Sequence, residues 1–162
     1  MMSESTFLAI KELLDKHHVQ YEHFVHAHVT TSQDAAAIRN TSLDDAAKAI
    51  VCKVEKRDGS FEFIQAILQA SKKIDLKKLK RFLDSRNVAL ASPDEVLERT
   101  GCTIGSVPPF GILFNIRMFV DEDLLKRDLI VFSAGTHTDS IQMRPQDYLA
   151  VAEPAVVEMK KE

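Results

Sequence analysis

The pair Asp58-Gly59 stands between two apolar runs rich in β-branched and aromatic residues, KAIVCKVEK and SFEFIQAIL. An Asp-Gly pair placed this way is the strongest short-range signal for a β-hairpin. A lone two-stranded hairpin is marginal in water. The rest of the chain must therefore extend this hairpin into a sheet and cover it.

The flanking patterns supply both strands and helices. Ser5 is read as the cap of a first helix with Phe7, Leu8, Ile10, Leu13 and Leu14 on one face. Val19, Tyr21 and His23 alternate as a strand does. Thr31 or Ser32 precedes a short alanine-rich helix over Gln33–Asn40, and Asp44–Ala47 adds a turn. After the hairpin, a helix is predicted over Asp75–Ser85, with Leu76, Leu79, Phe82 and Leu83 inward. A strand follows at Val88–Ala91. Ser92-Pro93-Asp94-Glu95 is a capping box with proline at the first helical position, and Gly101 ends that helix. Ile112–Ile116 and Arg117–Val120 read as strand, Asp121 as the cap of a short helix, Leu129–Ser133 and Ser140–Met143 as strands, and Pro145–Ala150 as a last helical turn. The expectation is one α+β or mixed α/β domain over residues 1–162, with helices flanking a mixed sheet. At 162 residues such a domain buries a real core without staples.

Bulk properties exclude several classes. The formal net charge is −3, so the molecule as a whole is no general nucleic-acid binder, although a local basic patch is compatible with it. Cys52 and Cys102 form no CxxC pair, and free thiols in a reducing cytoplasm are expected. No apolar run reaches the ~20 residues that span a bilayer. Met1–Thr6 lacks the basic-then-apolar pattern of a signal peptide. Nucleophile-elbow, P-loop and dinucleotide fingerprints are absent, and no heptad pattern implies an oligomer.

Several features are candidates for chemistry. HFVHAH brings His23, His26 and His28 close together, but no further ligand stands at zinc-motif spacing, so surface histidines are expected rather than a metal site. Cys52, mid-strand, reads as a buried inert thiol, and Cys102 has no activating histidine near it in sequence. Lys72, Lys73, Lys77, Lys78, Lys80 and Arg81 form a positive patch, either a solvated helix face or a phosphate-contacting surface. Lys48 opens an apolar strand, where it either snorkels or points its ammonium into a pocket. GSVPPFG, Gly105–Gly111, is too stiff for a linker and too irregular for a helix or strand. SAGTHTDS, Ser133–Ser140, is either a plain turn or a second backbone-rich loop facing the first.

In this order the stretches TSQDAA, AAKAIVCKV, DLKKLKRFL, LASPDEVLERTGCTIGSVPPFG, MFVDEDLL and FSAGTHTDSIQMRPQDYL resemble the YbaK/ProX family. These are aminoacyl-tRNA deacylase domains related to the editing insertion of bacterial prolyl-tRNA synthetases. The resemblance runs over about Thr31–Leu149 and implies a barrel-like, largely antiparallel sheet, with the core at about residues 31–150. It implies hydrolysis of the ester of a mischarged tRNA carrying a small amino acid, alanine or cysteine on a tRNA for proline. A non-catalytic module binding tRNA or a synthetase is the alternative. By the same resemblance Lys48, Gly105, Asp121 and His137 are catalytic. Thr31, Ser106, Val107, Pro108, Phe110, Gly135 and Thr136 contact the aminoacyl group, and the lysine patch contacts tRNA. Val107, Pro108 and Phe110 would form the wall that sets pocket size. No metal or organic cofactor is implied, and prolyl-tRNA synthetase is an implied partner.

Overall fold

The computed structural model describes residues 3–162. Met1 and Met2, part of the segment read for a leader peptide, lie outside the described residues.

The hairpin forms as expected. β2 (Ala47–Glu55) and β3 (Phe61–Gln69) pair antiparallel in continuous register from Ala47↔Gln69 to Glu55↔Phe61. The turn works because Gly59 adopts φ +88°, which costs a residue without Cβ little. Asp58 Oδ1 also accepts the Ser60 N–H at 2.9 Å. β3 is buried along most of its length, as a central strand should be. It pairs antiparallel with β2 and parallel with β5 (Arg117–Asp121). β4 (Asn87–Leu90) and β8 (Ala155–Val157) complete the order β4-β2-β3-β5-β8.

A second, antiparallel sheet has the order β1-β7-β6, from β1 (Tyr21–Val25), β7 (Asp139–Met143) and β6 (Ile130–Ser133). The barrel-like expectation is corrected here. The two sheets stay separate, joined at one parallel bridge, Ala46↔Val131. Side chains rather than a continuous ladder fill the space between them. Ile10 and Leu14 of α1 (Ser3–Lys16), Ile67, Val120, Phe132, Ile141 and Tyr148 share one buried cluster. A second cluster, on Cys52, Ile64, Leu79 and Phe119, carries α3 (Leu76–Phe82). A third seats α4 (Pro93–Thr100) through Val96, beside Val51, Cys102 and Val107.

Local sequence rules hold at most helix ends. Thr31 Oγ1 caps α2 (Ser32–Arg39) by accepting the Asp34 N–H at 3.1 Å. The predicted capping box at Ser92 and Glu95 is formed, and Gly101 closes α4 at φ +71°. α5 spans Pro145–Ala152, two residues beyond the predicted turn.

Other expectations are corrected. Among the described residues α1 already begins at Ser3, so Ser5 lies inside it. Asp44 and Asp45 sit in a turn, and Ala47 already belongs to β2. Ile112–Ile116 is not strand, because Gly111–Phe114 forms a 3-10 turn. A Cβ at Gly111 would lie 2.4 Å from the Ile116 carbonyl oxygen, so the chain doubles back where only glycine fits. Asn115 then ends the turn in the left-handed conformation that asparagine tolerates.

Candidate functional site

The β2 strand sets the site. β4 covers it only over Cys52–Glu55 and the Val131 bridge only at Ala46. Between them, the Lys48–Ile50 edge away from β3 pairs with no strand among the described residues. An open edge presents main-chain donors and acceptors, and here it borders a cavity of about 240 Å³. The other walls come from Val29–Thr31, from Ala35 and Arg39 of α2, from Ile104, Gly105 and Val107, and from Ser133. A second cavity of about 260 Å³ shares Ala49, Ile50, Ile104, Gly105 and Val107 with the first. Its remaining walls, among them Val51, Ile74, Leu90 and Val96, carry no polar side chain. Gly105 and its neighbours thus divide a polar compartment from a carbon-lined one.

The stiff loop is braced from several sides. The Thr103 carbonyl accepts from the Ser106 N–H and Oγ, at 3.0 and 2.8 Å. The Ser106 carbonyl accepts the Gly135 N–H at 2.9 Å, so the SAGT loop does face the first loop. The Pro108 carbonyl accepts from Gln65 Nε2 at 2.9 Å, and the Pro109 carbonyl accepts the Tyr148 hydroxyl at 2.7 Å. By contrast, the N–H groups of Gly105 and Val107 have no partner among the described residues. Both residues line the two cavities.

His137 is a strut beside the cavity. Its Nδ1 is 2.8 Å from the Val29 carbonyl, which only accepts, so Nδ1 carries the proton. Nε2 therefore accepts from Thr103 Oγ1 at 2.6 Å. Both ring nitrogens are spent on holding the loop to the Val29–Thr30 segment.

Two cations line the polar compartment. Lys48 Nζ donates to the Lys72 carbonyl. Burial, and secondarily the Lys73 charge, push its pKa down. Arg39, which sequence reasoning missed, is pushed down to about 10 by burial. Its position at the end of a helix has an ordinary reading as a complement to the helix dipole, so nothing in the pattern singled it out.

The other predicted residues divide. Thr31, Lys48, Gly105 and Val107 line the polar cavity. Ser106 is buried directly behind them and Gly135 braces them. Phe110 does not reach the cavity; its ring packs in the core 5.4 Å from Phe132 and 5.5 Å from Tyr148. Pro108 is buried against Gln65 and is no pocket wall either. The wall is instead Val107 with Ile50 and Ile104. Thr136 is occupied in its own turn, with Oγ1 2.7 Å from Asp139 Oδ2. Of the basic patch, Lys72, Lys73, Lys77, Lys80 and Arg81 are exposed. Lys78 is tied to Glu158 at 2.8 Å and to the Lys160 carbonyl at 3.0 Å.

Asp121 also lies away from the cavity. It is 1% exposed; Oδ2 accepts the Met159 N–H at 2.9 Å and Oδ1 the Asp123 N–H at 3.0 Å. It fastens the C-terminal segment to β5. Asp121→Ala leaves those buried donors unpaired and is expected to cost about 3 kcal/mol of stability. Chemistry at the cavity, per folded molecule, should be unchanged, as a urea melt and an active-fraction-corrected rate would check.

Both thiols are fully buried. Burial pushes Cys52 up to about 12 and raises Cys102 as well. Among the described residues no three His, Cys, Asp or Glu side chains are placed to hold a metal ion. His23 is instead 2.7 Å from Asp139, and His26 2.7 Å from Ser140.

The aminoacyl-tRNA editing domain family matches residues 26–151, which include every residue lining the polar cavity. This chain belongs to that family. It is 35% identical over 150 residues to the multifunctional Ser/Thr-tRNA deacylase ProXp-y of Escherichia coli K12, covering 92% of this chain and 89% of that protein. It is also 29% identical over 115 residues to the proline–tRNA ligase of Staphylococcus saprophyticus, where the match covers 71% of this chain and 19% of the ligase. The fold is shared with a solved hypothetical protein at TM-score 0.84 and 21% identity, covering 94% of this chain and 99% of that one. A solved candidate trans-editing enzyme for prolyl-tRNA synthetase gives 0.80 and 23%, covering 97% and 98%. As an editing domain, the chain carries its loop, its open strand edge and Lys48 inside the segment the family defines. No helix among the described residues is long and apolar enough to cross a membrane.

Proposed function

We propose that this chain is a trans-editing deacylase that hydrolyses the ester joining a small amino acid to the 3′ end of a tRNA. The observation that carries this reading is the braced loop, with unpaired N–H groups at Gly105 and Val107 on the wall between the two cavities. Water attacks the ester carbon, and negative charge develops on the carbonyl oxygen. Fixed backbone donors stabilise that charge without reorganising. Collapse breaks the bond to the ribose oxygen, which takes up the proton the water gives up. The products are the free amino acid and a tRNA with its hydroxyl restored. Such an ester needs no protein nucleophile, which fits the buried thiols. His137 acts by positioning the loop, and Lys48 supplies a point charge for the terminal nucleotide.

The carbon-lined compartment receives the amino-acid side chain. Ile50, Ile104 and Val107 limit its size and offer no hydrogen bond that separates a methyl from a hydroxyl. Pockets of that kind discriminate such isosteres by only about a hundredfold. Alanine and cysteine on a tRNA for proline are the first pair to test, because the chain resembles a segment of proline–tRNA ligases. Serine and threonine are the second, because the similar E. coli protein is a Ser/Thr-tRNA deacylase. Action in the cytoplasm, alone or beside prolyl-tRNA synthetase, completes the reading.

The exposed lysines at and beyond Lys72 favour tRNA over a free amino-acid ester as substrate. Cleavage of aminoacyl-tRNA is therefore expected to fall about tenfold or more between roughly 50 and 200 mM salt. Cleavage of an alanine methyl ester should hardly respond. Equal salt responses would point to a small-ester hydrolase, and tRNA binding without cleavage to a recognition module.

A further inference from the structure

Arg39 occupies an unusual position for a guanidinium. It lines the polar compartment and is half-buried, yet no carboxylate lies within ion-pair distance among the described residues. The nearby acids have other partners: Asp139 bonds His23 and Thr136, Asp45 pairs with Arg127, and Asp44 accepts from Ser71. Among the described residues no acidic one lines the compartment, while Lys48 does. Even a half-buried cation without a counter-charge carries a desolvation cost that an anionic ligand would offset.

The orientation of the guanidinium is fixed from behind. Arg39 Nε donates to Ser140 Oγ at 2.8 Å, and Nη2 reaches Ser133 Oγ at 3.4 Å. Ser140 Oγ in turn donates to His26 Nε2 at 2.7 Å, because His26 Nδ1–H is directed at the Ala27 carbonyl at 2.9 Å. Nη1 has no partner among the described residues. A planar, pre-oriented fork with a free edge suits a phosphate better than a neutral group.

The substrate limits the choice of anion. An aminoacyl ester carries an ammonium, which two cations repel, and a phosphate one ribose away. We propose that Arg39 is an anion-binding residue of the site, holding together with Lys48 the 5′-phosphate of the terminal adenosine. This rests on the deacylase reading and adds a division of labour: nucleotide phosphate in the cationic compartment, side chain in the carbon-lined one, ester at Gly105 between them.

The test uses non-hydrolysable 3′-alanylamino-3′-deoxyadenosine, with and without a 5′-phosphate, titrated into the full chain by calorimetry. The wild type is expected to bind the phosphorylated form about tenfold or more tightly than the nucleoside. Arg39→Gln should cut that ratio severalfold with nucleoside affinity unchanged, leaving the share that Lys48 supplies, and Arg39→Lys should keep more of it. A ratio preserved in Arg39→Gln overturns the proposal. So does an equal loss for both forms, which would make Arg39 only a strut for Ser133 and Ser140. A wild type that binds the nucleoside with no phosphate preference overturns the role of Arg39 alone. Binding of neither form overturns the deacylase reading along with it.

Discussion

Gly105→Ala is expected to lower kcat/KM for a mischarged tRNA by about 10²–10³-fold, the range for losing an oxyanion donor, in a chain that still folds. Gly105 sits at φ +92°, where an L side chain is strained. The added Cβ would also stand 2.9 Å from the Thr30 carbonyl oxygen and 3.4 Å from His137 Cε1. Neither neighbour yields cheaply. The Val29 N–H donates to the His137 carbonyl at 3.1 Å while the His137 ring returns a bond to the Val29 carbonyl at 2.8 Å. The loop must therefore shift, and the N–H groups of Gly105 and Val107 move with it. Steady-state kinetics beside a thermal melt separates this from unfolding. Wild-type kcat/KM in the variant would mean that these amides do not meet the developing charge.

Lys48→Met is expected to lower kcat/KM about a hundredfold, the size of a lost charge-assisted contact, without lowering the midpoint of thermal unfolding. The stability half follows from linkage. Burial depresses the Lys48 pKa in the folded chain below its unfolded value of 10.5. The unfolded state thus binds more protons in the window between the two values, and stability rises as pH climbs through it. Below that window the charged lysine is a cost of folding that methionine does not carry. Activity falling together with a large drop in the midpoint would instead assign Lys48 a structural role through its bond to the Lys72 carbonyl.

Much of the architecture was legible because short-range rules decide it. The Asp58-Gly59 turn, the Ser92/Glu95 capping box and the Gly101 stop each depend on a few neighbouring residues. What stayed hidden depends on distant ones. Phe110 reads as a pocket wall beside two prolines, but Phe132 and Tyr148, remote in sequence, draw it into the core. Asp121 reads as a site acid until Met159 and Lys160 arrive from the C-terminus. β8 is three residues long and carries too little pattern to be seen. In the site, Lys48, Gly105, Thr31 and Val107 were visible as a lysine, a glycine, a hydroxyl and an apolar residue at matching motif positions. Arg39 was not, since its significance lies in the acids that are missing around it.

The most direct measurement is the rate of amino-acid release from alanyl-, cysteinyl-, seryl-, threonyl-, prolyl- and phenylalanyl-tRNA with the wild-type chain at low salt. Release of the small amino acids, within about a hundredfold of one another, with phenylalanyl-tRNA left intact, is the expected result. No release above the uncatalysed rate from any of the small aminoacyl-tRNAs, by a chain shown to be folded, would contradict hydrolysis at this site.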